Sequence, residues 1–378
     1  MRFRDSSSDL ARIVLLCAAA FASGVGARAA GVIPAMPKGL PVDLWEARVP
    51  AGNPVTEEKI ALGRRLFFEK RISFDGSVAC ATCHDPEKGF ADGRRVSEGV
   101  GRKKGARNSP TLINTAFNEF QFWDGRASSL EEQAKSPMIS PDEMGMSDHD
   151  AVISVIGRDP TYVAEFQKAF GRVPSIDSAV AAIATFERTV LSGDSNFDRF
   201  LSGNPLAMSE SAQRGWNLWS GKARCHTCHA FSSVTPNFTD SKFHNIGVAA
   251  RGRDFAGLAR RATAASNPRT LVFDPDFSEI GRYVVTRNPG DLGAFKTPGL
   301  RDVALTAPYM HDGSEPTLLS VVEFYDKGGV PNRYLDTLIT PLKLTHGERH
   351  DLVAFMESLT GQGPGAANRV ELRDPSKR

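Results

Sequence analysis

The chain has 378 residues, with 46 lysines and arginines against 44 aspartates and glutamates and a formal net charge of +2. Balanced charge gives no electrostatic case for nucleic acid or an anionic membrane as partner, and the length allows two domains of ordinary size. At the N-terminus, Arg2 and Arg4 precede an apolar run from Ile13 to Phe21 and small residues ending Ala27-Arg28-Ala29-Ala30, the layout of a secretory signal peptide over residues 1–30. That run is too short to span a bilayer, and no later stretch reaches the length a transmembrane helix needs. The mature protein is therefore expected to be exported and soluble. Cys17 lies inside the signal after a leucine rather than a small residue, so a lipid anchor there is disfavoured.

Gly63-Arg64-Arg65-Leu66-Phe67 lies in an amphipathic helical stretch and is followed by Cys80-Ala81-Thr82-Cys83-His84. Apolar residues recur at helical spacing over Ala179 to Val190, and Ser202 to Pro205 reads as a turn that joins two domains. The pattern then repeats: Gly215-Trp216-Asn217-Leu218-Trp219 precedes Cys225-His226-Thr227-Cys228-His229. Ser232 to Gly299 carries many Pro and Gly and is expected to be irregular. Leu318 to Tyr325 is helical by spacing, and a final helix is bounded by a Thr345/Glu348 capping box and Gly361. Strand-like alternation is scarce, so the fold class is mainly α with long loops. Two duplicated units are expected, over 31–204 and 205–378.

Both cysteine pairs belong to Cys-x-x-Cys-His, the signature of covalent haem attachment. Two thiols form thioethers on one porphyrin edge while the following histidine, His84 or His229, turns under the ring as proximal ligand. A four-cysteine zinc site, a pair of redox dithiols and structural disulfides are the competing readings, and each leaves the repeated histidine unexplained.

Two haems alone would describe an electron carrier, with no reaction with peroxide. The connecting motifs resemble something more specific. Arg107-Asn108-Ser109-Pro110-Thr111, Phe122-Trp123-Asp124-Gly125-Arg126, Glu143-Met144-Gly145 and Thr306-Ala307-Pro308-Tyr309-Met310-His311-Asp312-Gly313 are similar, in order, to the bacterial di-haem cytochrome c peroxidase and MauG family. The resemblance implies two cytochrome c-like domains, two c-type haems, a periplasmic location and hydrogen peroxide as oxidant. It also implies a calcium ion between the domains, held by the Asn108 side chain and the carbonyls of Thr306 and Pro308. Trp123 matches the family tryptophan between the haems, which can relay an electron or a hole. Glu143, twenty positions later, matches the carboxylate that moves a proton between the two peroxide oxygens.

Two positions choose between branches. Where the peroxidases hold a second histidine over the first haem, this chain has Val100, which cannot ligate iron; His149 is the nearby histidine and reads as solvated surface. Where they carry an axial methionine on the second haem, this chain has Tyr325, as in the MauG type, with Met310 as rival ligand. An oxygen donor lowers the iron potential and methionine raises it. His244 and His311 fall in family-like segments and read as structural or supporting groups, and His346 and His350 as solvent-facing.

These features favour a MauG-like enzyme acting on an aromatic residue of a partner protein. A peroxidase fed by a small cytochrome or cupredoxin is the alternative. Ala223 stands where the MauG type has a surface tryptophan, so Trp216 or Trp219 would have to serve as exit route, although Trp219 repeats Phe67 and reads as core.

Overall fold

The computed structural model describes residues 31–266 and 278–361, so the signal-peptide reading and Cys17 lie outside the described residues. The chain folds as α1 (Val42–Arg48), α2 (Glu57–Phe67), α3 (Cys80–Cys83), α4 (Leu130–Ile139), α5 (His149–Gly157), α6 (Pro160–Phe170), α7 (Ile176–Glu187), α8 (Asn196–Leu201), α9 (Glu210–Ser220), α10 (Phe255–Ala264), α11 (Tyr283–Thr286), α12 (Leu318–Asp326) and α13 (His346–Glu357). Two residue pairs, β1 (Phe243–His244) and β2 (Phe295–Lys296), form a short antiparallel ladder. No described helix is long and apolar enough to cross a membrane.

Two helix crossings organise the structure, and they are copies of each other. The Thr56 side chain caps α2, Glu57 and Glu58 lie in its first turn, and Arg64 and Arg65 in its last, so charge and cap both suit the helix dipole. Its buried stripe, Leu62, Gly63, Leu66 and Phe67, packs on α7. At Gly63 the backbones meet so closely that a Cβ would collide with the Ala182 carbonyl oxygen, and Phe186 Cβ would lie 3.0 Å away. In the second half α9 crosses α13 at Gly215, where a Cβ would collide with the Asp351 carbonyl oxygen and lie 2.8 Å from Phe355 Cβ. Only glycine permits either approach.

Around α2 and α7 the core is aliphatic and aromatic, including Ile72, Tyr162, Phe166 and Val180. Around α9 and α13 it is a ring cluster, Phe197, Trp216, Trp219, Phe231, Phe238 and Phe355. Phe197 comes from α8, just before the exposed Ser202–Pro205 turn, and already packs with the second cluster. Arg301 ties distant segments together. Its fully buried guanidinium meets both Asp198 carboxylate oxygens at 2.8 Å and also donates to the Gly39 and Pro236 carbonyls.

The stretch from Ser232 to Gly299 is less irregular than its composition suggests. Asp254 caps α10, whose Phe255, Leu258, Ala259 and Ala262 are buried on one stripe. That period was present in the sequence, but the flanking Gly and Pro residues masked it. A third cluster, with Leu258, Ile280, Tyr283, Leu292 and Phe295, packs α10 against Trp123.

Gly63→Ala and Gly215→Ala should each lower stability by about 2 kcal/mol or more, because no rotamer relieves a backbone collision. Thermal melting checks this against Gly347→Ala, which meets open space on α13 and should be neutral or slightly stabilising.

Candidate haem sites

Each Cys-x-x-Cys-His segment is a single tight turn. In the first, the His84 N–H donates to Cys80 O at 3.0 Å, and Thr82 Oγ1 accepts from the Ala79 N–H at 2.9 Å. The second repeats the turn, with the His229 N–H donating to Cys225 O at 2.9 Å. Both imidazoles are fixed through the same nitrogen: His84 Nδ1 lies 3.2 Å from Phe90 O and His229 Nδ1 lies 3.1 Å from Phe238 O. A carbonyl can only accept, so Nδ1 carries the proton and Nε2 keeps its lone pair. Burial also lowers the proton affinity of both rings, which keeps them neutral. That is the tautomer and charge a proximal iron ligand requires.

No disulfide joins the four described cysteines, and before attachment burial pushes the Cys80 and Cys225 thiols up to about 12 and Cys83 up to about 11. Among the described residues the one group that could converge on a metal is Cys228, Asp240 and His244, so the cysteines do not assemble a shared zinc site. His244 is clamped instead by carboxylates, 3.0 Å from Asp240 and 2.6 Å from Asp336. The Asp240 bond foremost, then Cys228, pushes it up to about 11, an imidazolium.

A cleft opens beside the second motif, lined by Cys225, Cys228 and His229 and also by Tyr325 and Met310. It fits a haem chemically. Among the described residues no aspartate or glutamate lines it, whereas Arg224 and Lys296 do, as the carboxylates of a haem would require; Arg301 also lines it but is already paired with Asp198. Burial pushes the Lys296 ammonium down to about 8, so this cation lacks a local counter-charge. Burial likewise holds the Tyr325 phenol above its ordinary value. Asn108, Thr306 and Pro308 line the same cleft. Asn108 is 7% exposed and its Nδ2 donates to Arg94 O at 2.9 Å, which leaves Oδ1 as its free acceptor.

Trp123 lies along this cleft, with its Nε1–H donating to Asn108 O at 2.9 Å and His311 edge-on at 6.5 Å. Its carbonyl accepts from the Lys296 N–H at 2.8 Å. The same segment reaches the first motif three residues later, where Arg126 acts on Glu143, which in turn acts on Cys80 and Cys83. Burial raises the Glu143 carboxyl, and Arg126 and a Ser140 hydrogen bond offset it in part. Glu143 O accepts from the Val100 N–H at 2.8 Å, and the Val100 side chain packs into the first core, with nothing on it to bind iron.

Sequence reasoning missed the clamp that holds Trp123. Asp124, fully buried, meets Arg107 at 2.8 Å and Arg126 at 2.9 Å, and Arg282 donates to the Asp124 and Gly125 carbonyls at 2.9 and 2.7 Å. The signal was the Asp-Gly-Arg after Trp123, read only as context for the indole. His149 differs from expectation: it is partly buried, with Nε2 donating to Lys135 O at 3.0 Å. His311 stacks on Phe295 at 3.6 Å and bonds Glu279 at 2.9 Å, a supporting role, while His346 and His350 are exposed. Trp219 is 4% exposed and stacked at 4.8 Å on the partly exposed Trp216; Ala223 is buried.

With this geometry in hand, comparison with known proteins assigns the class. Residues 57–205 match the family model for di-haem cytochrome c peroxidase. The chain is 41% identical over 325 residues to the methylamine utilization protein MauG of Methylorubrum extorquens, covering 85% of this chain and 84% of the relative. Cytochrome-c peroxidase IdrP1 of a Pseudomonas species is 39% identical, covering 84% of each chain. The crystal structure of a MauG-like protein associated with microbial copper homeostasis superposes with a TM-score of 0.74 at 34% identity, over 87% of this chain and 96% of that one. The diheme peroxidase BthA from Burkholderia thailandensis gives 0.62 at 25% identity, over 82% and 87%.

The chain belongs to the di-haem cytochrome c peroxidase and MauG family. It is a peroxide-dependent oxidoreductase, and membership implies two haems.

Burial alone would raise the Asp124 carboxyl, but Arg107 and Arg126 outweigh it and hold it below the ordinary aspartate range. A depressed carboxyl stabilises the fold above its unfolded value, near pH 4, and that contribution is lost as pH falls through the folded value. Asp124→Asn should therefore cost about 3 kcal/mol at neutral pH and flatten the acid limb of the stability profile, measured by denaturant titration.

Proposed function

We propose that this protein is a MauG-like enzyme, exported to the periplasm, that reacts with hydrogen peroxide and removes electrons from an aromatic side chain of a partner protein. The observation that carries this reading is the contrast between the sites: Val100 beside Glu143 at the first, and Tyr325 in the cleft of the second. When bound, the two haems supply the iron that cleaves peroxide and stores its two oxidising equivalents.

This chain's residues do the rest. Cys80 and Cys83 hold the first haem, Cys225 and Cys228 the second, and His84 and His229 ligate the irons through Nε2. Val100 offers no donor atom where the peroxidases hold a histidine, so a haem bound here would be open to peroxide. Glu143, its proton affinity raised by burial, takes a proton from the near peroxide oxygen and returns it to the leaving one. Tyr325 would provide an oxygen ligand to the second iron, whose charge would favour ionisation of a phenol that burial otherwise keeps neutral.

Trp123 relays charge between the sites. Its N–H donates to a backbone carbonyl, which cannot accept the proton, so an oxidised indole keeps it and remains a cation. Asn108 Oδ1 and the carbonyls of Thr306 and Pro308 would supply calcium with an all-oxygen set; what supports this is that the three residues line one cleft. Two cytochrome c-like domains, over 31–204 and 205–378, are supported by the two copies of the helix crossing, although Phe197 of α8 packs with the second.

Met310 lines the same cleft as Tyr325 and supports the second reading, a peroxidase that reduces peroxide to water with electrons from a small cytochrome or cupredoxin. Peroxide titration of the wild type and Tyr325→Met, followed by absorption, separates the two. The MauG-like reading predicts a persistent oxidised species in the wild type, lost in the variant, and slow turnover of a reduced small cytochrome. Rapid steady-state cytochrome oxidation, unchanged in Tyr325→Met, overturns it. Trp123→Phe should retain both haems and slow charge exchange between them by roughly tenfold or more, since a tenfold loss needs only about 1.4 kcal/mol of added barrier.

A further inference from the structure

The internal repeat identifies a group that the mechanism above leaves unused. α7 and α13 are equivalent helices: each meets the glycine of its partner helix, Gly63 or Gly215, and each follows that contact with a fully buried phenylalanine, Phe186 or Phe355. The next residues in register are Glu187 and Met356. Met356 lines the cleft beside the second motif, so the repeat puts Glu187 beside the first.

Electrostatics point the same way independently. After burial itself, Glu187 is the largest influence raising the Cys80 thiol. Its side chain is 4% exposed, and Oε2 has no hydrogen-bond partner among the described residues. The adjacent Arg188 does not pair with it, because both its terminal nitrogens engage Glu131, at 2.8 and 2.9 Å. The repeat therefore replaces a methionine with a buried carboxyl that no described cation hydrogen-bonds.

We propose that Glu187 is a proton-holding site for the first haem, taking up one proton when that haem gains an electron and releasing it when the electron leaves. Ferric haem with ionised Glu187, plus one electron from a reductant and one proton from solvent, becomes ferrous haem with neutral Glu187; the only bond made is O–H. Added negative charge beside a buried carboxylate is costly, and the proton cancels it. Burial already pushes this carboxyl up to about 8, with Arg188 lowering and Glu131 raising it. Those two, with Cys80 of α3, are the charged or titratable groups that face it. Lys59 of α2 is engaged by Asn53 and Pro54, and His149 and Asp150 of α5 face Lys135 O and solvent. Reduction of peroxide to water consumes two protons, and Glu187 and Glu143 are two carboxyls able to hold them. The inference rests on haem attachment at Cys80 and Cys83 and is independent of which molecule is oxidised.

Spectroelectrochemistry of the haem-loaded protein tests it, with Glu143→Gln as background so that this second carboxyl does not contribute. In Glu143→Gln the affinity of the first haem for its electron should fall up to tenfold per pH unit near pH 8, which is 59 mV for one electron. Adding Glu187→Gln should abolish that slope. The same slope in the double variant, or none in Glu143→Gln alone, overturns the proposal. Should Glu187→Gln not retain haem on a denaturing gel stain, redox difference infrared spectroscopy of Glu143→Gln decides. A protonated carboxyl band that appears on reduction and shifts with carbon-13 glutamate supports the assignment, and its absence contradicts it.

Discussion

The hydrogen bond from Nδ1 of each motif histidine to a backbone carbonyl, Phe90 O for His84 and Phe238 O for His229, is the constraint on which the rest depends. It sets the tautomer, aims Nε2 away from the chain and fixes the ring plane before any iron arrives. Both carbonyls belong to loops held by the cores behind them: Phe90 and Phe238 are buried, and their rings pack with Phe67 and Trp219, which project from the two helices that cross at glycine. Helix crossing, aromatic packing, loop and imidazole thus form one chain of support, built twice.

What differs between the copies gives them different chemistry. The first site has an apolar Val100, a partly buried Glu143 and a fully buried carboxyl at Glu187. The second has Tyr325, Met310 and a lining without carboxylates. Between them Trp123 is held by its indole bond to Asn108 O and by Asp124, whose charge two arginines balance. The relay proposed for Trp123 requires fixed distances to both partners, and a buried charge cluster resists displacement because each lost contact exposes an uncompensated ion.

Much of this was legible in the sequence because the signals were local. Cys-x-x-Cys-His fixes its own turn, Thr345 and Glu348 announce the start of α13, and Gly63 and Gly215 each stand four residues before a buried aromatic, Phe67 or Trp219. Contacts between distant segments were not legible. The bonds of Arg301 to Asp198 and of Arg282 to the Asp124 carbonyl join residues more than a hundred positions apart, and no spacing rule reports them. Glu187 was invisible for a related reason: beside Arg188 it reads as an ordinary charged pair at a helix end, and only the packing shows the arginine turned to Glu131 and the glutamate turned inward. α10 was missed although its period was present, because neighbouring Gly and Pro argued for loop.

The central claim is that one iron has a vacant coordination position and the other is bound on both sides. Electron paramagnetic resonance of the resting ferric protein tests it most directly. The account predicts one high-spin haem, at His84, and one low-spin haem, at His229; two low-spin signals, reporting two protein ligands at each iron, would contradict it.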